Sequence, residues 1–233
     1  HSMVTFQTIT GDHRAIGSAT GRFMGPWLRG LATRYPSYYK KHKLDYRALR
    51  LRGLDLLAPA RAAFPQIIKE YEATARAAKI SFPDAWFMVV EEDLLDEIEW
   101  KKKSGHCTSV GIATRRELAL LHNEDFEGRY RGMAAVQSVR PRDGVPFVRF
   151  VYPLGLPGST AWANAAGIAC AEDSLFYQPD MRGGTKNVML RALAGARSLV
   201  EVKALMRRVR PSLGFALSSS HGPSPLGGKL TSG

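Results

Sequence analysis

The chain has 233 residues and a formal charge of +12, with 45% hydrophobic and 23% charged residues. That composition excludes a wholly disordered or collagen-like chain and allows one sizeable domain or two small ones. No apolar run approaches the ~18–20 residues that span a bilayer, the longest being residues 85–90, closed by Glu91 and Glu92.

Residues 1–106 read as mostly helical. In residues 14–35, Ile16, Phe23, Trp27, Leu28 and Leu31 fall near helical spacing, and Gly17, Gly21 and Gly25 recur every fourth residue. Glycines so placed weaken a helix but let another element approach closely. Helices are expected over residues 46–57 and 59–78. Another follows Ser81, which can cap it ahead of Pro83 and Asp84. The acidic residues 91–99 alternate with apolar ones and read as an amphipathic helix face. Lys101-Lys102-Lys103 reads as an exposed linker.

At Gly105 the pattern changes to short strands, over residues 107–113, 118–122, 133–139, 145–152, 160–164 and 167–175. Asp143-Gly144 marks a hairpin turn. Helices follow over residues 185–196 and 198–208, the second with Ser198 as N-cap and Glu201 at the capping-box position. A last strand spans residues 213–219, and residues 220–233 read as a mobile tail. Helices, then antiparallel strands, then helices give an α+β fold, with the sheet segment over residues 107–219.

Cys107 and Cys170 cannot build a disulfide framework, and the six histidines show no paired spacing. Spacing therefore gives no metal site, and no nucleotide motif points to a cofactor. Cys170 reads as a small buried hydrophobe. His1-Ser2-Met3 reads as a tag remnant before a native methionine, with no secretory signal after it; the expected location is the cytoplasm. The basic clusters lack interleaved aromatics, which argues against nucleic acid as a partner despite the charge. An Arg-rich solvated surface is the simpler reading.

Chemistry is concentrated in Gly105-His106-Cys107-Thr108-Ser109. A thiol needs a base or a lowered pKa to act as a nucleophile. If the 106–107 bond were cut, the new α-amine, with a reference pKa of ~7.7–8.0, could be that base. A strand returning to His122-Asn123-Glu124-Asp125 would bring Asp125 near the new ammonium and Asn123 near the thiol. The pattern alone also allows a buried strand cysteine and ordinary turn residues.

These segments, in order, resemble the N-terminal-nucleophile (Ntn) hydrolases related to acyl-coenzyme A:6-aminopenicillanate (isopenicillin N) acyltransferase. Gly11-Asp-His-Arg-Ala-Ile-Gly17 with Gly21 resembles the family's opening helix. Gly105-His106-Cys107-Thr108-Ser109 resembles its self-cleavage site. Asn123-Glu124-Asp125 resembles its Asn-x-Asp motif, with Asp125 18 residues after the cysteine (125 − 107). Trp162-Ala-Asn164-Ala-Ala-Gly167 followed by Asp173-Ser174-Leu175 resembles its Asn-x-x-Gly strand pair.

The resemblance implies an αββα sandwich, short at the C-terminus, made as a precursor and cut between His106 and Cys107. The mature protein would hydrolyse an amide, or transfer its acyl group, through a Cys107 thioester. Asp125 would orient the amine, Asn123 would support the nucleophile, and Asp173 and Ser174 would face the oxyanion. Thr108, His122 and Asn164 would contact substrate. The implied partner is a small acylated amine or amino acid, with an acyl-coenzyme A as a further candidate. No cofactor, metal or membrane is implied, and a homodimer is allowed. Three departures stand out: His106 before the nucleophile, Asp173 where members carry Asn, and no later Thr-Asn-His segment supplying an oxyanion donor. Losing one such donor costs ~10²–10³ in rate. A non-catalytic binding relative and a basic nucleic-acid binder are the competing readings.

Overall fold

Close approach between two helices organises the N-terminal half of the computed structural model, which describes residues 5–99, 107–114, 118–125, 127–156, 160–175, 184–208 and 215–222. Helix α1 spans His13–Lys41 and α4 spans Pro65–Ala78. A Cβ on Gly17 would fall 2.0 Å from the Glu70 carbonyl oxygen, and one on Gly21 would fall 2.2 Å from that of Thr74. Only glycine permits this contact. Asp12 caps α1, its Oδ1 accepting from the Ala15 amide at 2.8 Å. The helix continues past residue 35, with Pro26 and Pro36 inside it.

The expected 46–57 and 59–78 helices are divided differently. Helix α2 covers Tyr46–Gly53, a 3₁₀ turn covers Leu54–Leu56, and α3 covers Leu57–Ala63. Pro65 disfavours helical geometry at Phe64, whose φ is −135°, and begins α4 itself. Helix α5 covers Phe82–Glu99, and Ser81 Oγ accepts from the Asp84 amide at 3.2 Å, as the cap reading expects. Trp86 to Val90 of α5 are fully buried. Glu91 and Asp93 are buried too, so the acidic segment is not simply a solvated face.

The first strand, β1 (Thr5–Gly11), has no counterpart among the expected elements of this mostly helical half. It pairs in parallel with β4 (Ala135–Pro141) at the edge of a six-stranded sheet. The sheet continues antiparallel through β5 (Phe147–Val151), β6 (Ala161–Asn164), β7 (Ile168–Ser174) and β8 (Phe215–His221). Strand β8 carries Ser220 and His221 opposite Ala169 and Ile168, so it runs beyond the expected 213–219 strand into the segment read as a tail. A separate hairpin joins β2 (Thr108–Ala113) to β3 (Leu118–Asn123). The mixed sheet with covering helices is an α+β arrangement.

Register places Ile9, Val139, Phe147, Trp162, Ile168 and Cys170 on one face of the large sheet. They pack against α6 (Lys186–Leu193) and α7 (Leu199–Arg208) through Met189, Leu190, Leu193 and Val202. Cys170 is buried among them, as expected. Thr185 and Ser198 cap these two helices. The β2–β3 hairpin packs over β7 and β8, and Phe6 on β1 is 63% exposed. Trp100, Lys101-Lys102-Lys103 and His106 lie outside the described residues. No helix among the described residues is long and apolar enough to cross a membrane.

Candidate active site

Pairing in the hairpin decides which side chains meet. Thr108 faces Asn123, and Ser109 faces His122. One step outward, Cys107 comes opposite Glu124. Side chains alternate along a strand, so Cys107, Ser109, His122 and Glu124 share one side while Thr108 and Asn123 take the other. The Cys107 thiol donates to Glu124 Oε1 at 3.5 Å, and the Tyr152 hydroxyl donates to the same oxygen at 2.9 Å. His122 Nε2 lies 2.9 Å from Glu124 Oε2, and its Nδ1 lies 3.0 Å from Ser109 Oγ.

Burial pushes the Cys107 thiol up to about 12, and the Glu124 charge adds to it; the Asp125 amide, which donates to the sulfur, opposes both. The thiol is therefore protonated at neutral pH. For Glu124 burial acts upward, but the hydrogen bond from His122 and those of neighbouring hydroxyls outweigh it, and its carboxyl lies below the usual range. His122 is raised, chiefly by the Glu124 hydrogen bond.

Cys107, Glu124 and Asp125 open onto a cleft of about 90 Å³, shared with Arg129, Tyr152, Glu172, Ser174 and Lys186. Helix α5 and strand β7 supply its other wall. The Lys186 ammonium lies 2.7 Å from Glu92, 3.1 Å from Glu172 and 2.9 Å from Ser174 Oγ. One ammonium shared by two carboxylates leaves a net negative charge. Burial, with repulsion from Glu92 and Glu124 behind it, accordingly raises Glu172 well above the carboxylate range despite Lys186. Behind this wall, Glu91 is buried against Tyr35, Tyr39, Tyr130 and Arg129. That cluster fixes α5 in place.

The expected residues fall in four places. Cys107, Asp125 and Ser174 line the cleft. His122 and Asp173 sit beside it, with Asp173 Oδ1 3.8 Å from His122 Nδ1. That oxygen is buried and has no hydrogen-bond partner. Asn123 is exposed and donates to Asp125 Oδ1 at 3.0 Å, while Thr108 is exposed opposite it. Ser174 donates to Glu92 at 2.7 Å, so its proton is already committed. Asn164 is buried elsewhere, holding the carbonyls of Ala194 and Ala196 and the amides of Ala166 and Ile168. Its position fits a turn and helix anchor.

Glu124, Glu172, Lys186, Glu92 and Tyr152 were not expected from the sequence. Two of them had a signal. Glu172 occupies an inward position of β7, following Ile168 and Cys170, where a charge demands a partner. Lys186 begins α6, where a cation opposes the helix dipole.

Cys107, His122 and Glu124 each offer one donor atom, all within 4.8 Å of one another, a grouping able to hold a metal ion. Histidine spacing hid it, because strand pairing supplies the third donor. A scan against protein-family models finds no match to the chain, and a search of curated proteins finds none either.

Proposed function

We propose that the chain is an autoprocessed cysteine amidohydrolase or acyltransferase of the Ntn type. One observation carries the reading: Cys107 immediately precedes β2, and its thiol lines the cleft beside Asp125. In processing, the thiol adds to the carbonyl of residue 106 while Glu124 Oε1 takes its proton. The 106–107 C–N bond then breaks, a thioester forms, and the freed amine is protonated. Water hydrolyses the thioester and leaves Cys107 as an N-terminal residue. Its amine then acts as base for its own thiol, next to Asp125.

In turnover, the thiolate attacks the substrate amide, the amine leaves carrying a proton, and water or an acceptor amine takes the acyl group. In this reading the β2–β3 hairpin begins the second sheet of an αββα sandwich. The cleft carboxyls Glu92, Glu124, Asp125, Glu127 and Glu172 outnumber Lys186 and Arg129. They suit a leaving amine that departs as ammonium and disfavour the phosphates of coenzyme A.

The test is the intact mass of the wild type under denaturing conditions beside Cys107→Ala. Two fragments divided before Cys107, in the wild type only, are expected. A single uncut chain in both overturns the reading. The orphaned Asp173 oxygen and the committed Ser174 proton favour a second reading, a non-catalytic relative that binds ligand in the same cleft. Turnover of an acyl amide that disappears in Cys107→Ser excludes it.

A further inference from the structure

We propose that Cys107, His122 and Glu124 form a site for a single divalent cation of the Zn²⁺ type. The inference stands on the folded hairpin and not on the proposed activity. Three donor types converge: a thiol, an imidazole nitrogen and a carboxylate. That mixture selects a borderline cation over Mg²⁺ or Ca²⁺, which take oxygen ligands. The charges also match, since a thiolate, a carboxylate and a neutral imidazole around a dication sum to zero. Such a site tolerates burial, and the His122 and Glu124 side chains are only 7% and 10% exposed.

The spacing suits the ion. A tetrahedral Zn²⁺ with ordinary bond lengths sets sulfur and oxygen about 3.6 Å apart and nitrogen and oxygen about 3.4 Å apart. Here the Cys107 sulfur lies 3.5 Å from Glu124 Oε1, and His122 Nε2 lies 2.9 Å from the other oxygen, Oε2. One ligand atom from each residue lies within 4.8 Å of the others, and a small rotation of the carboxylate would present a single oxygen to the ion.

The surroundings meet the second requirement of such sites, that each ligand be held by an outer partner. His122 would bind through Nε2, leaving Nδ1 toward Ser109 Oγ at 3.0 Å and the unpartnered Asp173 Oδ1 at 3.8 Å. Glu124 is steadied by the Tyr152 hydroxyl. The cleft beside Cys107 and Glu124 leaves a fourth position open to water. Binding displaces the thiol proton, and the Nε2 proton when present, to solvent; no electron is transferred. A bound cation would also occupy the Cys107 sulfur and block its reaction with electrophiles.

The experiment uses the full chain, stripped with a chelator and desalted. Zn²⁺ is titrated against a chromophoric chelator, and Co²⁺ serves as the spectroscopic probe. One equivalent per chain and a near-ultraviolet thiolate-to-cobalt band are expected. Cys107→Ser should lose the band, and His122→Ala and Glu124→Gln should lose tight Zn²⁺ binding. Asp173→Asn should weaken binding about 10–100-fold, as loss of an outer partner does. Circular dichroism checks that each variant folds, and the near-isosteric Glu124→Gln guards against a collapsed hairpin. No cobalt–thiolate band, or a full equivalent retained by both Cys107→Ser and Glu124→Gln, overturns the proposal. The mass of the same sample reports cleavage independently, so either result can fail alone.

Discussion

Gly17 and Glu70 are joined by an absence: the missing side chain of the first lets the main chain of the second sit against it. The added-Cβ distance of 2.0 Å falls on a carbonyl oxygen of α4, which cannot rotate aside. Gly17→Ala is therefore expected to destabilise the fold by about 3 kcal/mol. That corresponds to a fall in Tm of roughly 6–12 °C for a chain of this size. Gly128→Ala, where nothing lies within 4 Å, should leave Tm nearly unchanged. Thermal melts of the two variants check both.

Glu70 also anchors a buried charge cluster. Arg191 binds it at 2.9 and 2.8 Å, His13 Nδ1 lies 3.1 Å away, and Arg149 lies 3.7 Å away. Burial alone would raise its pKa. Arg191, the His13 hydrogen bond and Arg149 together reverse that, from 4.5 to about 2. A depressed carboxyl stabilises the fold fully above its unfolded value and loses that contribution as pH falls through the folded one. About 3 kcal/mol should thus disappear between roughly pH 4.5 and 2. Glu70→Gln should remove most of this acid dependence. It should also cost about 3–5 kcal/mol at neutral pH, because Arg191 and Arg149 stay buried without their counter-charge. Denaturant titrations across that pH range provide the measurement.

Asn164 separates a structural role from a substrate role. Its side chain makes four hydrogen bonds to main chain, tying the β6–β7 turn to the end of α6. Asn164→Ala should cost about 2–4 kcal/mol, since buried main-chain groups lose their partners. Alkylation of Cys107 in the variant that remains folded should proceed at the wild-type rate. A changed rate with unchanged stability would return Asn164 to the site.

Glu124→Gln should expose the opposite behaviour. Removing the carboxylate lowers the thiol's affinity for its proton. Each unit of fall gives about tenfold more thiolate, partly offset by lower intrinsic nucleophilicity, for a net gain of roughly three- to fivefold. Iodoacetamide labelling in chelator-treated buffer, followed by mass, tests this. Cys170, buried in the core, should stay unlabelled in the folded protein.

Local signals in the sequence located most elements. The caps at Ser81 and Ser198 and the Asp143-Gly144 turn place helix starts and a hairpin through contacts within four residues. Strand β1 escaped because its pairing lies 130 residues away in β4, as with Gln7 opposite Gln137. The site divides in the same way. Cys107 and Asp125 follow from motif spacing, whereas Lys186 reaches Glu92 across 94 residues and Glu172 across 14. Asn123 and Glu124 are neighbours in one motif, but strand alternation sends them to opposite sides. Only the register tells which one meets the thiol.

The parallel seam between β1 and β4 joins material from both sides of residues 100–106, and so does the packing of α5 against α6. A cut there would leave a single particle held by a shared sheet and shared core. Its melting, however, would become a bimolecular event. The Tm of a cut protein should rise with protein concentration, while that of an uncut Cys107→Ala chain should not.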